Sequence, residues 1–327
     1  MQRRDFLQAS AAALALTQQP WSYAQSDYPS RPVKIVVPYN AGGSTDAMAR
    51  MVAEFLSKDL GQPFMVENKA GASGILGTDQ VAKSKPDGYQ LVFSISTSLM
   101  TNQFIYAKLP YDPVRDLTML SLVSLTPVVF LTRASAPARN FAQLLDWIRS
   151  NRGKLSYGSW GTGSYAHLAG EHMSRVLDAD MQHIIYKGEA PMVQALVADQ
   201  LDIGFATAST AKGFIEAGKV KAFGVNGKQR LKSLPNVPTV VEQGQTDSIY
   251  ATVGYTGIAV PKATPIDIQN RLSQALARAG KDPKIIQFAE NAGMLAAFSD
   301  QATFQKLYDE DMVIWKHLVQ QAKIEPI

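Results

Sequence analysis

Short apolar runs alternate with longer amphipathic stretches along most of the chain. Residues 33–37 form a β-branched run that is typical of a buried parallel strand, and residues 47–60 behind it have a helical pattern. Residues 64–67 and 90–95 are further short strands, separated by a glycine-rich loop and a helical stretch. This alternation of strands and helices continues to the C-terminus, and it predicts an α/β fold with mostly parallel sheets.

Two stretches are expected to connect separate domains. Residues 120–132 form a long apolar run, which we interpret as one strand that crosses between domains, and residues 254–260 form a strand that returns towards the first domain. The chain has 327 residues, a length that suits two domains with a core each. We expect the first domain to comprise residues 25–124 together with 252–327, and the second to comprise residues 125–251.

Several predicted strands end in glycine or hydroxylated residues just before a helix. In open α/β sheets, ligands bind outside the carboxyl ends of the strands. A helix that begins there presents unpaired N–H groups and the positive end of its dipole, both of which favour an anion. Such turns also occur in proteins without a ligand at that place, but their repetition in this chain favours one shared binding rim. We expect Asp46, in the first of these loops, to cap its own helix and to hold the loop.

The first residues have the pattern of an export signal. A basic start and a mildly apolar stretch precede Ser22-Tyr23-Ala24, which places small residues where signal peptidase cleaves and predicts cleavage after Ala24. The pair Arg3-Arg4 also resembles the twin-arginine motif, so twin-arginine and Sec export both remain open. No later apolar run is long enough for a transmembrane helix. We therefore expect the mature protein, residues 25–327, in the periplasm.

Composition excludes several kinds of chemistry. The chain contains no cysteine, so disulfides, thiolate metal sites and cysteine nucleophiles are excluded. Its formal charge of +4 comes from scattered basic residues, so we expect no nucleic-acid partner. His167 and His172 are five residues apart, about 140° around a helix, and cannot act together as zinc ligands on one face. His167 is expected to pair locally with Glu171 instead, and we expect no metal and no cofactor.

One motif points to an enzyme. Residues 161–166 fit the dinucleotide-binding pattern G-x-G-x-x-A, and Asp178 or Asp180 lies near the spacing of the acid that binds ribose. Any helix start that binds an anion can produce the same pattern. An exported NAD(P)-binding oxidoreductase is therefore an alternative interpretation of this chain.

The chain resembles the Bug family over nearly all of its predicted mature length. These proteins are the extracytoplasmic substrate-binding proteins of tripartite tricarboxylate transporters. The matching blocks, in order, are RPVKIVVP (31–38), AGGSTD (41–46), VENKAG (66–71), PDGY (86–89), YDP (111–113), SYGS (156–159), HLAGE (167–171), YKG (186–188), AGK (217–219) and LPNVPT (234–239).

The resemblance implies a type II periplasmic binding protein fold, with two doubly wound α/β domains and a ligand cleft between them. It also implies no enzymatic activity. We expect the cleft to capture a small organic anion, such as a dicarboxylate or an aromatic carboxylate, and the protein to deliver it as a monomer to membrane transporter subunits. A ligand sensor that partners a membrane receptor has the same fold and remains an alternative.

The ligand-contacting loops of the family coincide with the loops noted above. The residues expected to contact the ligand are Tyr39, Ala41, Gly42, Gly43, Ser44, Asp46, Gly71, Ala72, Ser73, Ser96, Thr97, Ser159, Gly161, Thr162, Gly163, Ser164, His167, Ala206 and Thr207. We expect helix starts at Gly42–Asp46 and Gly161–Ser164 to face each other, and a side chain at Gly43 or Gly163 to block their N–H groups. Many relatives have aspartate where this chain has Ala206, which makes an amine-bearing ligand less expected.

Overall fold

The fold consists of two β-sheets with helices packed around them. The structure is a computed structural model, and it describes residues 28–322 and residue 324. The predicted export signal, residues 1–24, lies outside the described residues. The strands are β1 (Val33–Val37), β2 (Phe64–Asn68), β3 (Gln90–Ile95), β4 (Leu117–Thr126), β5 (Val129–Arg133), β6 (Ser156–Ser159), β7 (Gln182–Ile185), β8 (Ile203–Ala206), β9 (Val220–Val225), β10 (Gly254–Pro261) and β11 (Leu295–Ala296).

Most of the strands are followed by a helix, as the alternating pattern predicts. The helices are α1 (Ser44–Leu60), α2 (Ile75–Ala82), α3 (Asn102–Ile105), α4 (Pro113–Asp116), α5 (Phe141–Ser150), α6 (Tyr165–Val176), α7 (Glu189–Val197), α8 (Ala208–Glu216), α9 (Ser248–Ala251), α10 (Ile266–Ala279), α11 (Pro283–Asn291) and α12 (Gln301–Gln321). None of these helices combines the length and the apolar composition needed to cross a membrane.

The first sheet has six strands in the order β11-β4-β10-β3-β1-β2. Strand β1 is parallel to both of its neighbours, with Val33 opposite Phe64 of β2 and Ile35 opposite Leu91 of β3. Strand β10 is antiparallel to β3 and to β4, and β11 is antiparallel to β4. The sheet is therefore mixed, and its parallel part carries the loops after β1, β2 and β3 at one edge.

The second sheet has five strands in the order β7-β6-β8-β5-β9. Strand β6 is parallel to β7 and β8, whereas β5 is antiparallel to β8 and β9. Its parallel part again brings the carboxyl ends of successive strands to one edge. The class predicted from the sequence, α/β, is confirmed. The expectation of mostly parallel sheets is wrong, because five of the nine strand pairings in the described residues are antiparallel.

The chain crosses between the sheets at two neighbouring places. The predicted single strand over residues 120–132 is wrong, because the run is divided into β4 in the first sheet and β5 in the second. Pro127 lies at the break, and a proline has no N–H group to continue a strand ladder. The second crossing leads into β10, and Asn226 connects the two crossings: its Oδ1 accepts from the Val128 N–H at 2.7 Å, and its Nδ2 donates to the Thr252 carbonyl at 2.6 Å.

Apolar side chains form one core cluster that includes residues of both sheets. Val92 of β3, Phe130 of β5 and Trp315 of α12 belong to it and are at most 1% exposed. Separate clusters lie between the first sheet and helices α1, α10 and α11, and between the second sheet and helices α7 and α8. The shared cluster keeps the edges that carry the βα loops of the two sheets close together.

Candidate ligand-binding site

A cavity of about 110 Å³ lies between the two sheets, at the carboxyl ends of their parallel strands. Its volume is far below the ~300–1,000 Å³ of sites for drug-sized ligands, so it suits a small molecule. The residues that line it are Ser44, Thr45, Ile95, Ser96, Thr97, Thr126, Val128, Trp160, Gly163, Tyr165, Glu189, Thr207, Gly254, Tyr255, Met294 and Trp315. No lysine or arginine is among these described residues, so an anion in the cavity would depend on hydrogen-bond donors and helix dipoles.

The start of α1 supplies free main-chain donors to the cavity. Gly43 is the N-cap, and its carbonyl accepts from the Ala47 N–H at 3.0 Å. No side chain caps this helix, and within residues 28–322 no acceptor is found for the N–H groups of Ser44, Thr45 and Asp46. Ser44 and Thr45 line the cavity. An uncapped helix start at a cavity wall is suited to bind a carboxylate.

Asp46 holds the loop before α1 from behind. Its Oδ2 accepts from the Gly42 N–H at 2.9 Å and from Arg50 Nε at 3.1 Å, and its Oδ1 accepts from Asn68 Nδ2 at 2.9 Å. Burial would raise the pKa of this carboxyl, but the bonds from Arg50, Gly42 and Asn68 together lower it. The prediction that Asp46 holds its loop is confirmed. The prediction that it caps its helix is wrong, because the N-cap is Gly43 and Asp46 bonds a residue outside the helix.

The start of α6 uses most of its main-chain donors internally. The Gly161 N–H donates to Ser159 Oγ at 3.2 Å, the Gly163 N–H donates to His167 Nδ1 at 3.0 Å, and the Ser164 N–H donates to the Gly161 carbonyl at 3.2 Å. Ser164 is the N-cap, and its Oγ accepts from the His167 N–H at 3.3 Å. Among the described residues, the N–H groups of Thr162, Tyr165 and Ala166 lack an acceptor in this turn.

His167 belongs to a stack of rings behind the α6 loop. Its ring lies 4.1 Å from that of His183, with 6° between the planes, and His183 stacks on Tyr157 at 4.9 Å. His183 Nε2 is also hydrogen-bonded to Ser159 Oγ at 2.7 Å. Burial, followed by the neighbouring His183, lowers the pKa of His167 to about 4. The neutral ring can therefore accept from Gly163 at neutral pH.

The expected pair of His167 and Glu171 is wrong. Nδ1 of His167 accepts from Gly163, and Oε2 of Glu171 accepts from the Tyr157 hydroxyl at 3.1 Å. Both side chains thus support the β6–α6 unit rather than each other. Within the described residues, no group of three or more potential metal-ligating side chains is present.

Gly163 touches the other half of the molecule across the cavity. A Cβ atom at this position would lie 1.8 Å from Ile105 Cδ1 at the end of α3, and its φ is +72°, a value that L side chains rarely adopt. Gly43 differs on both counts, because its φ is −77° and the nearest atom to a Cβ would be the Asn40 carbonyl oxygen at 3.9 Å. The structure therefore requires glycine at position 163 but leaves space for a side chain at position 43.

Glu189 adds an acid to the cavity wall. It is the first residue of α7, and its Oε2 accepts from the Thr207 N–H at 2.9 Å and from the Thr207 hydroxyl at 2.7 Å. Burial raises the pKa of Glu189, and the bonds from Thr207 partly offset this effect. The contact joins the ends of β7 and β8 and places a carboxyl group opposite the helix start of the first sheet.

Aromatic side chains and two buried hydroxyl groups complete the wall. Trp160, Tyr165, Tyr255 and Trp315 line the cavity. The Tyr255 hydroxyl and Thr126 Oγ1 are buried and have no hydrogen-bond partner among the described residues. Because buried polar groups normally have a partner, a bound ligand or ordered water is expected to satisfy these two.

Five of the residues predicted from the sequence line the cavity, and they come from four different loops. They are Ser44, Ser96, Thr97, Gly163 and Thr207. The other predicted residues lie off its wall; they are Tyr39, Ala41, Gly42, Gly43, Asp46, Gly71, Ala72, Ser73, Ser159, Gly161, Thr162, Ser164, His167 and Ala206. Several of these support the wall from behind, as described for Asp46, Ser159 and His167.

Two predicted loops have structural contacts instead. The Tyr39 hydroxyl accepts from Ser94 Oγ at 3.5 Å and lies against Gly74, and burial raises its pKa to about 12. In the loop after β2, the Ser73 carbonyl accepts from Asn102 Nδ2 at 3.1 Å. In the second sheet, Ala206 is fully buried in the core, and the following residue, Thr207, lines the cavity.

Among the lining residues not expected from the sequence are Glu189, Trp160, Thr126, Tyr255 and Trp315. Trp160 and Glu189 lie just after the ends of β6 and β7, and such a position at a strand end is a signal for ligand contact. Thr126 and Tyr255 lie where β4 and β10 pair at the crossing between the sheets. Trp315 comes from the C-terminal helix, and no local pattern relates that helix to the cavity.

The fold and the cavity define a solute-binding protein of the periplasmic type. The chain is similar to the periplasmic binding protein BugD, with 31% identity, a TM-score of 0.80 and coverage of 92% of this chain and 100% of that chain. It is also similar to R. palustris Rpa4515, solved with adipate, at 27% identity and a TM-score of 0.82, with coverage of 92% and 100%. MatC from Rhodopseudomonas palustris, solved with bound malate, shares 29% identity at a TM-score of 0.77, with coverage of 89% and 100%.

Residues 48–324 match the family described as the tripartite tricarboxylate transporter family receptor, and the chain belongs to this family. The resemblance noted from the sequence is thus confirmed. The family and its structural neighbours are substrate-binding proteins rather than enzymes, so the oxidoreductase interpretation of residues 161–166 is abandoned. The glycine pattern there is explained by the hydrogen-bonded loop and by the contact of Gly163 with Ile105.

Proposed function

We propose that this protein captures a small carboxylate in the cavity between its two sheets and delivers it to a tripartite tricarboxylate-type membrane transporter. The site of action proposed is the periplasm, after removal of residues 1–24. The family and the two carboxylate-containing neighbours support this proposal. So do the donors at the cavity wall, which come from hydroxyl side chains and the start of α1.

The observation that carries the proposal is the uncapped start of α1. Three successive N–H groups, from Ser44 to Asp46, have no acceptor within the described residues, and two of these residues line the cavity. A charged partner at such a helix start gains about 0.3–1 kcal/mol from the dipole, and up to ~2 kcal/mol when it is partly buried. Each hydrogen bond to a charged group adds about 1.5–3 kcal/mol. The hydroxyls of Ser44, Ser96 and Thr97 provide further donors.

We further propose two domains that close on the ligand, residues 25–124 with 252–327 and residues 125–251. The crossings at Pro127 and before β10 would act as the hinge, because few residues connect the sheets there. The contact of Gly163 with Ile105 then belongs to the closed arrangement. Ligand contacts from both sides of the cavity would stabilise that arrangement.

A thermal-shift screen of the mature chain, residues 25–327, tests the proposal. The panel contains succinate, malate, adipate, benzoate and NAD⁺. A ligand at 100 times its Kd stabilises the folded state by about 2.7 kcal/mol, which raises the melting temperature by several degrees. We expect such a rise with at least one of the carboxylates. A rise with NAD⁺ alone, or with none of the acids at millimolar concentration, would contradict the proposal.

Uptake by cells tests the delivery step. Deletion of the chain should abolish transport of the acid found in the screen, and expression of the chain should restore it. Normal uptake in the deletion strain, with a lost transcriptional response to the same acid, would instead support a sensor.

A further inference from the structure

We propose that Glu189 selects the ligand: the acid held in the cavity carries a hydroxyl or amino group that donates a hydrogen bond to this carboxylate. The inference rests on the proposed function and deepens it. It adds a second requirement to the carboxylate that the start of α1 would bind. The ligand class is therefore a small hydroxy or amino acid rather than a plain dicarboxylate.

The carboxyl group of Glu189 is held in a fixed position. Oε2 accepts two hydrogen bonds from one residue, the Thr207 N–H at 2.9 Å and the Thr207 hydroxyl at 2.7 Å. Thr207 Oγ1 is in turn 3.0 Å from Ser209 Oγ, within the first turn of α8. A carboxyl group that is bonded twice through one oxygen has little freedom to turn, so the direction of its other oxygen is also fixed.

The other oxygen, Oε1, is available. Thr207 occupies its neighbour, and the Thr210 side chain also acts on this carboxyl and lowers its pKa, but no hydrogen bond to Oε1 itself is found among the described residues. Of the described residues that line the cavity, Glu189 alone carries a formal charge. A second carboxylate placed at this oxygen would be repelled, whereas an apolar group would leave the oxygen without a partner. Both outcomes cost free energy, and a donor avoids both.

Burial supports the same conclusion. The pKa of Glu189 is raised because the charged form is poorly solvated. A hydrogen bond from the ligand would stabilise the charged form and offset part of this effect. The start of α1 and Glu189 lie on opposite sheets, and a cavity of about 110 Å³ places both within reach of one small molecule.

A matched series of four-carbon acids tests the inference. Succinate has no donor apart from its carboxyl groups, malate adds a hydroxyl group, and aspartate adds an ammonium group. Benzoate, 4-hydroxybenzoate and 4-aminobenzoate form a parallel aromatic series. Calorimetry gives the Kd of each acid for the wild-type mature chain, for Glu189→Gln and for the control Glu310→Gln, which changes an exposed residue of α12. The glutamine keeps one oxygen to accept from Thr207 and replaces the other by a donor.

In at least one series we expect wild type to bind a donor-bearing acid at least tenfold more tightly than its plain parent. Glu189→Gln should reduce this preference to threefold or less, mainly by weakening the donor-bearing acid, and Glu310→Gln should keep it. Tighter binding of malate than of aspartate would indicate that the ligand's donor is a hydroxyl group. Tighter binding of aspartate would indicate that it is an amino group.

Equal binding of succinate, malate and aspartate by wild type, with no preference in the aromatic series, would overturn the inference. A preference that Glu189→Gln leaves unchanged would overturn it as well. The wild-type measurement does not depend on the folding of any variant. Equal binding of the acids overturns the inference alone, whereas no binding of any acid by wild type overturns the proposed function as well. The two failures are therefore distinguishable.

Discussion

The two helix starts at the cavity have similar sequences and different structures. Both follow a strand, contain two glycines and are rich in hydroxyl groups, and the sequence therefore predicts two equivalent anion-binding turns. At α1 the carboxylate of Asp46 bonds Gly42 behind the turn, and the N–H groups of Ser44 and Thr45 at the cavity wall have no acceptor among the described residues. At α6 the side chains of Ser159, Ser164 and His167 accept from their own loop.

The difference shows what a glycine-rich helix start needs in order to bind an anion. Glycine permits the turn, but internal acceptors decide whether the N–H groups remain available. In the α1 turn, the acceptor Asp46 bonds Gly42 before the helix and leaves the N–H groups of the first helical turn without a partner among the described residues, so this turn is suited to a ligand. The α6 turn satisfies most of its donors and is suited to form a fixed wall against the other half of the molecule.

The largest expected effect is the loss of ligand affinity when a side chain is added to the α6 turn, compared with the same change in the α1 turn. Gly163→Val places a β-branched residue at φ +72° and directly against Ile105, so the present contact between the α6 loop and the end of α3 cannot form. We expect about a thousandfold weaker binding of the acid found in the screen, about 4 kcal/mol. Gly43→Val is the matched control, because its φ is −77° and its surroundings are open. Calorimetry should show less than a tenfold change for the control; equal losses in both variants would contradict the distinction.

The second effect is a dependence of the unfolding free energy on pH, which arises from His167 in the α6 turn and has no counterpart in the α1 turn. The pKa of His167 is about 4 in the folded protein, whereas a histidine in an unfolded chain has a pKa of about 6.5. Between pH 4 and pH 6.5 the unfolded chain therefore binds more protons than the folded one. The unfolding free energy should therefore fall as the pH falls from 6.5 to 4, by on the order of 3 kcal/mol through this group.

His167→Asn keeps an acceptor for the Gly163 N–H and removes the titration. Urea unfolding at pH 7, 6, 5 and 4 should show a flatter decline for this variant than for wild type. The exposed His317→Asn is the control and should keep the wild-type decline. If His167→Asn declines as steeply as wild type, the ring is not the source of the acid sensitivity.

A third effect belongs to the α1 turn. Asp46→Ala removes the acceptor for Gly42, Arg50 and Asn68 from a position that is 4% exposed. Because Arg50 is half exposed and can be solvated again, we expect a loss of about 2 kcal/mol in unfolding free energy. Chemical denaturation gives this value, and Glu54→Gln, in an exposed pair with Lys58, should cause a much smaller loss, because exposed ion pairs contribute little to stability. A similar loss in both variants would argue against a special role for Asp46.

The smallest effect concerns the N-cap of α6. Ser164→Ala removes the acceptor for the His167 N–H, and loss of such a cap typically costs about 1 kcal/mol. Since Ser164 lies off the cavity wall, we expect this cost in the unfolding free energy and less than a threefold change in ligand affinity. A tenfold loss of affinity without a loss of stability would place Ser164 in the ligand site instead.

The sequence was sufficient for the class of fold and for the edge of the sheets at which the cavity lies. Strand β10 (Gly254–Pro261) lies close to residues 254–260, where the apolar pattern places it. The division of residues 120–132 was missed although Pro127 indicated it, and α11 was missed although Asp282-Pro283 is a typical helix start.

The residues that line the cavity were harder to predict, for a physical reason. Glu189 and Thr207 are 18 residues apart, and their contact depends on the adjacent placement of α7 and α8, which no local pattern contains. Trp315 likewise reaches the cavity through tertiary packing. The predicted roles of the other loop residues in ligand binding stay predictions.

The most direct test of the central claim is the ¹H–¹⁵N NMR spectrum of the mature chain with and without a saturating amount of the tightest acid from the calorimetric series. A carboxylate bound at the start of α1 forms new hydrogen bonds to the Ser44 and Thr45 amides. Their proton resonances should therefore move downfield by more than those of Gly42, Gly163 and His167, whose N–H groups already have acceptors. Unchanged Ser44 and Thr45 resonances, in a spectrum where other amides respond to the acid, would contradict the account.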